Sequence, residues 1–459
     1  MVDGLRELVL DLAVGLAAER HNRALARADE AGDHRQLVAD HVVEIERGVG
    51  LIDQRRDVAD VHRLVQVDEL AALPQAVEEL AEILLHRGAP KAARGCWRPW
   101  PKLLRPASDH NPGGKGRDTV SGKKTMKALV LRSHGGLDEL EVVSDHPLPA
   151  AVAGHVVIRV RASSFNYHDV FTVRGMPGIK VPLPVVVGLD MAGEIAEVGV
   201  GVAGWKVGER VLVNPLNKTK GLMGEMLDGG MAEYCLVAAD QLVAMPAGVG
   251  FEEAAALPVA YGTAHRMLIT HATVKAGKRV LILGASGGVG TGCIILAKHL
   301  GAEVIACTSS SEKMQKLKQL GADEVIDVKQ VDFSKWAIER YGKPQRRSYE
   351  GGVDVVINFT GGDTWHPSLR CLKRGGKLLV CGATAGYDPR EDLRYVWSFE
   401  LKIIGSNSFY DDDLRALMAL IADGKMRPVI DKVLPLAQAR EGLRLIQDRE
   451  VIGKVVVAP

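Results

Sequence analysis

The stretch VLILGASGGVG, Val280 to Gly290, constrains this chain more than any other. An apolar run, Val280 to Leu283, ends in closely spaced glycines and opens onto GTGCIILAKHLG, whose apolar spacing predicts a helix. Strand, tight turn and helix N-terminus follow one another, and Gly284, Gly287 and Gly290 sit three apart, as in a dinucleotide fingerprint. One glycine makes the turn, one lets the backbone approach a pyrophosphate, and one lets the helix pack on the strand. Gly288 and Val289 complete the loop. The helix N-terminus then offers free N–H groups and a partial positive charge to phosphates.

The next apolar run, EVIAC, ends in Thr308, Ser309, Ser310 and Ser311, with Lys313 shortly after. An NAD-preferring fold usually carries an acid at this point to hold the ribose 2′-OH. A carboxylate would repel a 2′-phosphate, whereas hydroxyls and an ammonium can bind it. The expected coenzyme is therefore NADPH, with NADH second. The same serines can also serve as caps for the helix that follows, and the two roles are compatible.

Bulk properties exclude several classes. At 459 residues the chain is long enough for two or three domains. A net charge of +1 gives no basic surface for nucleic acid or an acidic membrane. No apolar stretch reaches the roughly 18 residues needed to span a bilayer, and charged residues interrupt every apolar run near the N-terminus. The six cysteines are scattered without a C-x-x-C pair. They read as small buried hydrophobes in a reducing cytoplasm.

The chain divides into regions. Residues 1–125 are set apart: residues 1–90 contain no Lys, Ser, Thr, Cys, Phe, Tyr or Trp, and the Gly/Pro/Lys-rich RPASDHNPGGKGRDTVSGKKT follows as a linker. They read either as a helical or disordered accessory extension or as residues upstream of a true start at Met126, and composition favours the second. Residues 126–265 read as mostly β, with short apolar runs between Gly and Pro turns. Residues 266–390 alternate strand and helix, the pattern of a doubly wound parallel sheet. Residues 391–459 add a strand to that sheet, LKIIGS, and return to the first domain through GKVVV.

This order of pieces resembles the medium-chain dehydrogenase/reductase superfamily, over Met126 to Pro459. The strings GLDMAGEIAEVG, GWKVGERV and GGMAEY resemble family blocks, and GASGGVG resembles the nucleotide loop of its quinone-oxidoreductase and enoyl-reductase branch. The resemblance implies an α/β architecture: a GroES-like β-rich catalytic domain with a Rossmann domain inserted. It also implies coenzyme contacts from Thr360 and Gly361, and from Gly382, Ala383 and Thr384, both sets at C-terminal strand ends where open α/β sheets bind ligands. It implies a homodimer paired through the apolar edge Leu401–Ser406.

Zinc-dependent members place Cys, His and Cys around a catalytic metal. Here those positions hold Asn166, Leu189 and Ala255, and the four-cysteine lobe for structural zinc is absent. The expectation is no zinc, although His168, Asp190 and His265 are ligand-type side chains nearby in the sequence. Without a Lewis acid, a conjugated acceptor is the easier substrate, since hydride added to its β-carbon spreads charge into an enolate that hydrogen-bond donors can hold. Asn166 and Tyr167 are the candidate catalytic donors. Tyr167 reads equally as a packed aromatic, and Asp169 and Asp190 read as structural. The tyrosine that some enoyl reductases place a few residues later is missing from RGMPGIK. The resulting expectation is NADPH-dependent reduction of an activated C=C bond or a quinone. Its alternatives are a zinc alcohol dehydrogenase and a non-catalytic NADPH-binding protein.

Overall fold

The computed structural model describes residues 124–459. The reading of residues 1–125 lies, but for its last two positions, outside the described residues. The described chain begins in β1 (Thr125–Leu131), one residue before Met126, and Thr125 already pairs with Pro147.

β1 and β2 (Leu140–Pro147) form an antiparallel ribbon, and β1 also pairs β4 (Val185–Val186). The main β-layer is built on β3 (His155–Ser164), a strand whose apolar residues are mostly buried. It pairs antiparallel with β5 (Asp190–Val198) and with β9 (Tyr234–Ala238). β6 (Arg210–Val213) and β10 (Leu242–Ala244) extend one side. Between β3 and β4 runs α1 (Tyr167–Arg174), and β7 (Leu216–Asn217) with β8 (Gly221–Leu222) makes a small separate hairpin.

A helical segment then runs from Phe251 to His271, starting as α2 (Phe251–Ala255) and widening into π-turns at Leu257–Gly262 and Arg266–His271. Pro258 lacks an N–H, and its ring interrupts the helical ladder there. The division read from the sequence between residues 265 and 266 falls inside this segment. Its apolar face joins both β-layers: Ala254, Leu257, Tyr261 and Leu268 share one core with Ala162 and Leu212 on one side and Val280 and Ile294 on the other.

Next come β11 (Arg279–Ile282), α3 (Gly288–His299), β12 (Glu303–Thr308), α4 (Ser311–Gln319), β13 (Glu324–Asp327), α5 (Phe333–Tyr341), β14 (Val353–Ile357), α6 (Trp365–Arg370), β15 (Leu372–Val380), α7 (Leu393–Ser398) and β16 (Lys402–Gly405). Their six strands form one parallel sheet in the order β13-β12-β11-β14-β15-β16. That order reverses direction between β11 and β14, the switch point where such sheets bind nucleotides. The central strands β11, β12 and β14 are mostly apolar, as strands covered by helices on both faces are. β16 is the sheet's last strand, and Lys402 and Ile403 are exposed on it.

After α8 (Asp411–Ala422) the chain returns. β17 (Ile430–Pro435) and, after α9 (Ala439–Gln447), β18 (Lys454–Ala458) join the main β-layer, where β18 sits beside β3. Among the described residues, no helix is long and apolar enough to cross a membrane, and the five described cysteines are free.

Candidate active site

The candidate coenzyme loop forms where local sequence dictates it. Gly284 turns with φ +64°, and a Cβ there would meet the Phe359 ring at 2.8 Å. A Cβ on Gly290 would lie 2.6 Å from Ala285 backbone atoms, so only glycine lets α3 close on the loop. Gly287 differs. Its φ of −77° suits any residue, and the sole neighbour of an added Cβ is Gly284 O at 3.6 Å. Its Cα face is open, as a site approached by a pyrophosphate requires. Gly288 and Val289 are half-buried in the first turn of α3.

The other sequence-predicted coenzyme residues lie at the ends of three strands, β12 on one side of β11 and β14 and β15 on the other. Thr308 ends β12. Ser309 is exposed, and Ser310 occupies the N-cap of α4 without a side-chain capping bond, so its hydroxyl is not committed to the helix. Ser311 instead donates to Asp327 at the end of β13, at 2.7 Å. The carboxylate that the end of β12 lacks is therefore present one strand over.

Lys313 sits half-buried in the first turn of α4. Its ammonium donates to the carbonyls of Arg449 (2.7 Å) and Val451 (2.8 Å), leaving one of three N–H groups for a ligand. Thr360 and Gly361 follow β14, held by buried Asn358, whose Oδ1 accepts both their N–H groups at 3.0 and 2.9 Å. Gly382, Ala383 and Thr384 follow β15. This turn is stitched to the first one by Ala385 N–H to Thr360 O (2.7 Å) and Thr384 N–H to Phe359 O (3.1 Å).

A buried polar cluster lies at the start of α1, around the candidate catalytic residue Asn166. Asn166 is 7% exposed, Asp190 0% and Lys454 2%. The Lys454 ammonium donates to Phe165 O (2.7 Å), Asn166 Oδ1 (2.5 Å) and Asp190 Oδ2 (3.1 Å). Asn166 Nδ2 donates to Asp190 Oδ2 at 2.8 Å. Ser164 Oγ lies 2.8 Å from Ala255 O and 3.1 Å from Asp190 Oδ2, its single proton shared between them. Asp190 Oδ1 accepts the Val259 N–H at 3.0 Å, beside Pro258 where the helical ladder lapses. Asn166 thus meets Asp190 directly, Leu189 precedes Asp190 in the chain, and Ala255 reaches the cluster through its carbonyl on Ser164. Asn166, Leu189 and Ala255 carry an amide, a buried alkyl chain and a methyl group. This donor set does not fit zinc. Among the described residues, no three His, Cys, Asp or Glu side chains gather closely enough to hold a metal ion.

Neighbouring acids complete the picture. Asp169 accepts the Asn166 N–H through Oδ2 at 2.7 Å, while its buried Oδ1 has no partner among the described residues. Burial pushes its carboxyl up to about 7, against the Asn166 hydrogen bond and His168, with Asp190 adding to the rise. His168 Nε2 lies 2.9 Å from Oε1 of buried Glu225. Burial pulls the imidazole's pKa down, but the Glu225 hydrogen bond and charge, with Asp169, hold it above its usual value. Tyr167 stands outside the cluster, half-buried, its ring edge-on to Phe171 at 5.2 Å between centroids.

Sequence reasoning missed Lys454, Ser164, Glu225 and Asn358. The signal for Lys454 was a charge at the head of the apolar strand KVVVA, which reads by itself as a surface position.

Comparison with known proteins identifies the family to which this fold belongs. A family model described as "Alcohol dehydrogenase GroES-like domain" matches residues 152–247, and one described as "Zinc-binding dehydrogenase" matches residues 288–423. The chain is 31% identical to a quinone oxidoreductase of Sus scrofa over 345 residues, covering 74% of this chain and 99% of that one. It is similar to a crystal structure of an NAD-dependent alcohol dehydrogenase: 34% identity, TM-score 0.67, 73% of this chain and all of the other. It is also similar to the 2-octenoyl-CoA carboxylase reductase CinF, solved with NADP and 2-octenoyl-CoA: 29% identity, TM-score 0.64, 73% and 87% covered. With a GroES-like β-layer, a Rossmann sheet and this nucleotide loop in one chain, the protein belongs to the medium-chain dehydrogenase/reductase superfamily, in its quinone-oxidoreductase-like branch.

Proposed function

We propose that the chain is an NADPH-dependent oxidoreductase that reduces an activated C=C bond, in an enone or enoyl thioester, or a quinone, without zinc. The observation that carries this reading is the content of three positions. Asn166, Leu189 and Ala255 carry no ligand of the zinc type, and Asn166 is bonded instead to a buried Lys454–Asp190 pair.

Bound coenzyme supplies the hydride; the chain's residues bind, orient and hold charge. The open face of Gly287 and the free N–H groups of α3 suit the pyrophosphate. Thr308, Ser309, Ser310 and the remaining N–H of Lys313 suit a 2′-phosphate. The strand-end turns at Thr360–Gly361 and Gly382–Thr384 flank the nicotinamide side. When a conjugated acceptor is reduced, charge collects on its carbonyl oxygen, and the uncommitted N–H of Asn166 is the donor for it. Tyr167, whose hydroxyl has no hydrogen bond among the described residues, is the second candidate donor.

The same reading takes residues 126–265 as the first part of the catalytic domain, 266–390 as the coenzyme domain and 391–459 as the part that completes the Rossmann sheet and returns to the catalytic domain, in a cytoplasmic homodimer. The exposed edge β16 supports the dimer, because an uncovered apolar edge invites strand pairing.

The test is oxidation of NADPH by the purified chain with enones, enoyl-CoA esters, quinones, aldehydes and ketones, with metal analysis of the same sample. Turnover of conjugated acceptors by metal-free protein is expected. Stoichiometric zinc with activity confined to aldehydes and ketones would establish the alcohol-dehydrogenase alternative. Tight NADPH binding with no turnover of any acceptor would establish the non-catalytic one.

A further inference from the structure

A lysine with 2% exposure needs a reason, because burying an ammonium costs several kcal/mol that pairing only partly offsets. An ammonium has three N–H groups, and Lys454 spends all three, on Phe165 O, Asn166 Oδ1 and Asp190 Oδ2. It keeps no proton to offer a substrate. Its action must pass through a neighbour, and the neighbour with chemistry to offer is Asn166.

An asparagine amide can lie either way round, and here the charges decide. The ammonium only donates and the carboxylate only accepts. With Oδ1 toward Lys454 and Nδ2 toward Asp190, both bonds are satisfied, at 2.5 and 2.8 Å. Reversed, the amide would set N–H groups against the ammonium and its oxygen against the carboxylate. One N–H of Nδ2 is left over, with its direction fixed. The cation on Oδ1 also withdraws electron density through the amide, so that this N–H becomes a stronger donor.

The stem of Lys454 ties this arrangement to the coenzyme loop. Gly453, with φ +83°, donates its N–H to Ser286 O at 2.9 Å. A Cβ on Gly288 would fall 2.9 Å from Lys454 Cδ, so the stem passes directly against the first residue of α3. The loop that carries the pyrophosphate and the amide that faces the substrate are thus held at a fixed offset by one side chain.

We propose that Lys454 is a positioning residue: it orients and polarises the Asn166 amide so that one Nδ2–H is aimed at the oxygen that gains charge during reduction. This rests on the reading of Asn166 under Proposed function.

The experiment is a double-mutant cycle with Lys454→Met, Asn166→Leu and the double variant, using the enone reduced fastest by the unmutated chain. kcat, KM, the NADPH dissociation constant from nicotinamide fluorescence, and the melting temperature are measured for each. Losing one oxyanion donor lowers kcat by about 10²-fold, and Asn166→Leu is expected to do so. Lys454→Met is expected to lower kcat by about 10- to 100-fold, with KM and the NADPH dissociation constant each within about threefold of the unmutated values. The double variant should be no worse than the poorer single one. A merely structural lysine would give multiplicative losses or a change in coenzyme affinity, and either overturns the proposal. An unchanged kcat for Lys454→Met overturns it too. An unchanged kcat for Asn166→Leu removes the reading of Asn166 and the proposal with it, whereas a slow Asn166→Leu beside a normal Lys454→Met removes the proposal alone. Should Lys454→Met not fold, Lys454→Gln replaces it, keeping a neutral donor toward Asn166. A kcat lowered by about 3- to 10-fold is then expected, and an unchanged one sinks the idea.

Discussion

The coenzyme loop closes within one stretch, Val280 to Gly290, whereas the polar cluster at α1 joins Asn166 to a lysine 288 positions away. The first region is made of backbone: glycines, amide N–H groups and a helix terminus. The second is made of side chains with full charges, buried and paired off. The two differ in what they can tolerate. A backbone site fails when a Cβ intrudes, and the rest of the fold can survive. A buried ionic site fails when one partner is removed, because the other is left uncompensated in a poorly solvating interior.

The largest effect expected from this contrast is at Asp190. Asp190→Leu strips the Lys454 ammonium of its counter-charge and deprives Asn166 Nδ2, Ser164 Oγ and the Val259 N–H of an acceptor. Removing one partner of such a pair costs about 3–5 kcal/mol. Urea unfolding followed by circular dichroism should show that loss, and a variant as stable as the unmutated chain would show that the pair carries no net weight.

The next effect is a pH dependence, also at the cluster. Asp169 ordinarily loses its proton near 3.8 but keeps it in the folded chain to about 7. Between those values the folded state holds more protons than the unfolded one, so this group makes stability fall as pH rises from about 4 to about 7. Above that range its contribution is constant. His168, Asp190 and Lys454 face the same carboxyl. Asp169→Asn removes the titration while keeping an acceptor for the Asn166 N–H. Unfolding free energies at pH 5 and pH 8 should differ less in the variant, by roughly a few kcal/mol, since one bound proton is equivalent to about 1.4 kcal/mol for each pH unit crossed. Parallel pH profiles for the two proteins would refute the assignment.

At the coenzyme loop the contrast reverses. Gly287→Val places its Cβ in open space at an extended backbone, so the melting temperature should change by only a few degrees. On the proposed binding mode the new side chain blocks the pyrophosphate's approach, and NADPH affinity should fall by about 100-fold, equivalent to about 2.7 kcal/mol. Fluorescence titration with NADPH measures it. Retained affinity would place the pyrophosphate elsewhere.

The same difference decides what the sequence disclosed. The loop was legible because its requirement is local: three glycines at fixed spacing between an apolar run and a helix. The alternation of strands and helices was legible for the same reason, down to the edge strand Leu401–Ser406, whose core is β16. The cluster was half legible. Asn166 could be singled out by position, and Asp190 could be called structural, but nothing near Lys454 says that its strand lies beside β3 with Asp190 beneath it. Pairing of β18 with β3 and of β3 with β5 makes that contact, and such long-range register has no local signature. The helix over Phe251 to His271 was missed as an element because Pro258 and Gly262 break its pattern and its π-turns carry no 3.6-residue period.

Lys313 belongs to both regions and gives the smallest expected effect. Its place in the sequence suits a 2′-phosphate because hydroxyls and an ammonium stand where an acid would favour NAD. The structure adds that two of its N–H groups hold the carbonyls of Arg449 and Val451, in the segment that leads through Gly453 to Lys454. A charge-reversing substitution would disturb both roles at once, so Lys313→Met is the sharper test. It removes one charge-assisted donor from the phosphate site, and such bonds contribute about 1.5–3 kcal/mol. Because solvent screens a half-exposed ammonium, the low end applies, and the NADPH-over-NADH preference should shrink by about tenfold. Arg449 is exposed but Val451 is buried, so loss of the two carbonyl contacts should lower stability by about 1–2 kcal/mol, the scale of one or two net hydrogen bonds. Dissociation constants for both coenzymes, measured on the variant and the unmutated chain, separate the roles. If NADPH and NADH weaken equally, Lys313 serves only the segment that carries Lys454, and the coenzyme preference comes from elsewhere. If NADPH alone weakens while kcat with saturating coenzyme is unchanged, the phosphate site and the Asn166 cluster are independent. A fall in kcat that accompanies the weaker NADPH binding would mean that the segment from Arg449 to Lys454 transmits the state of one site to the other.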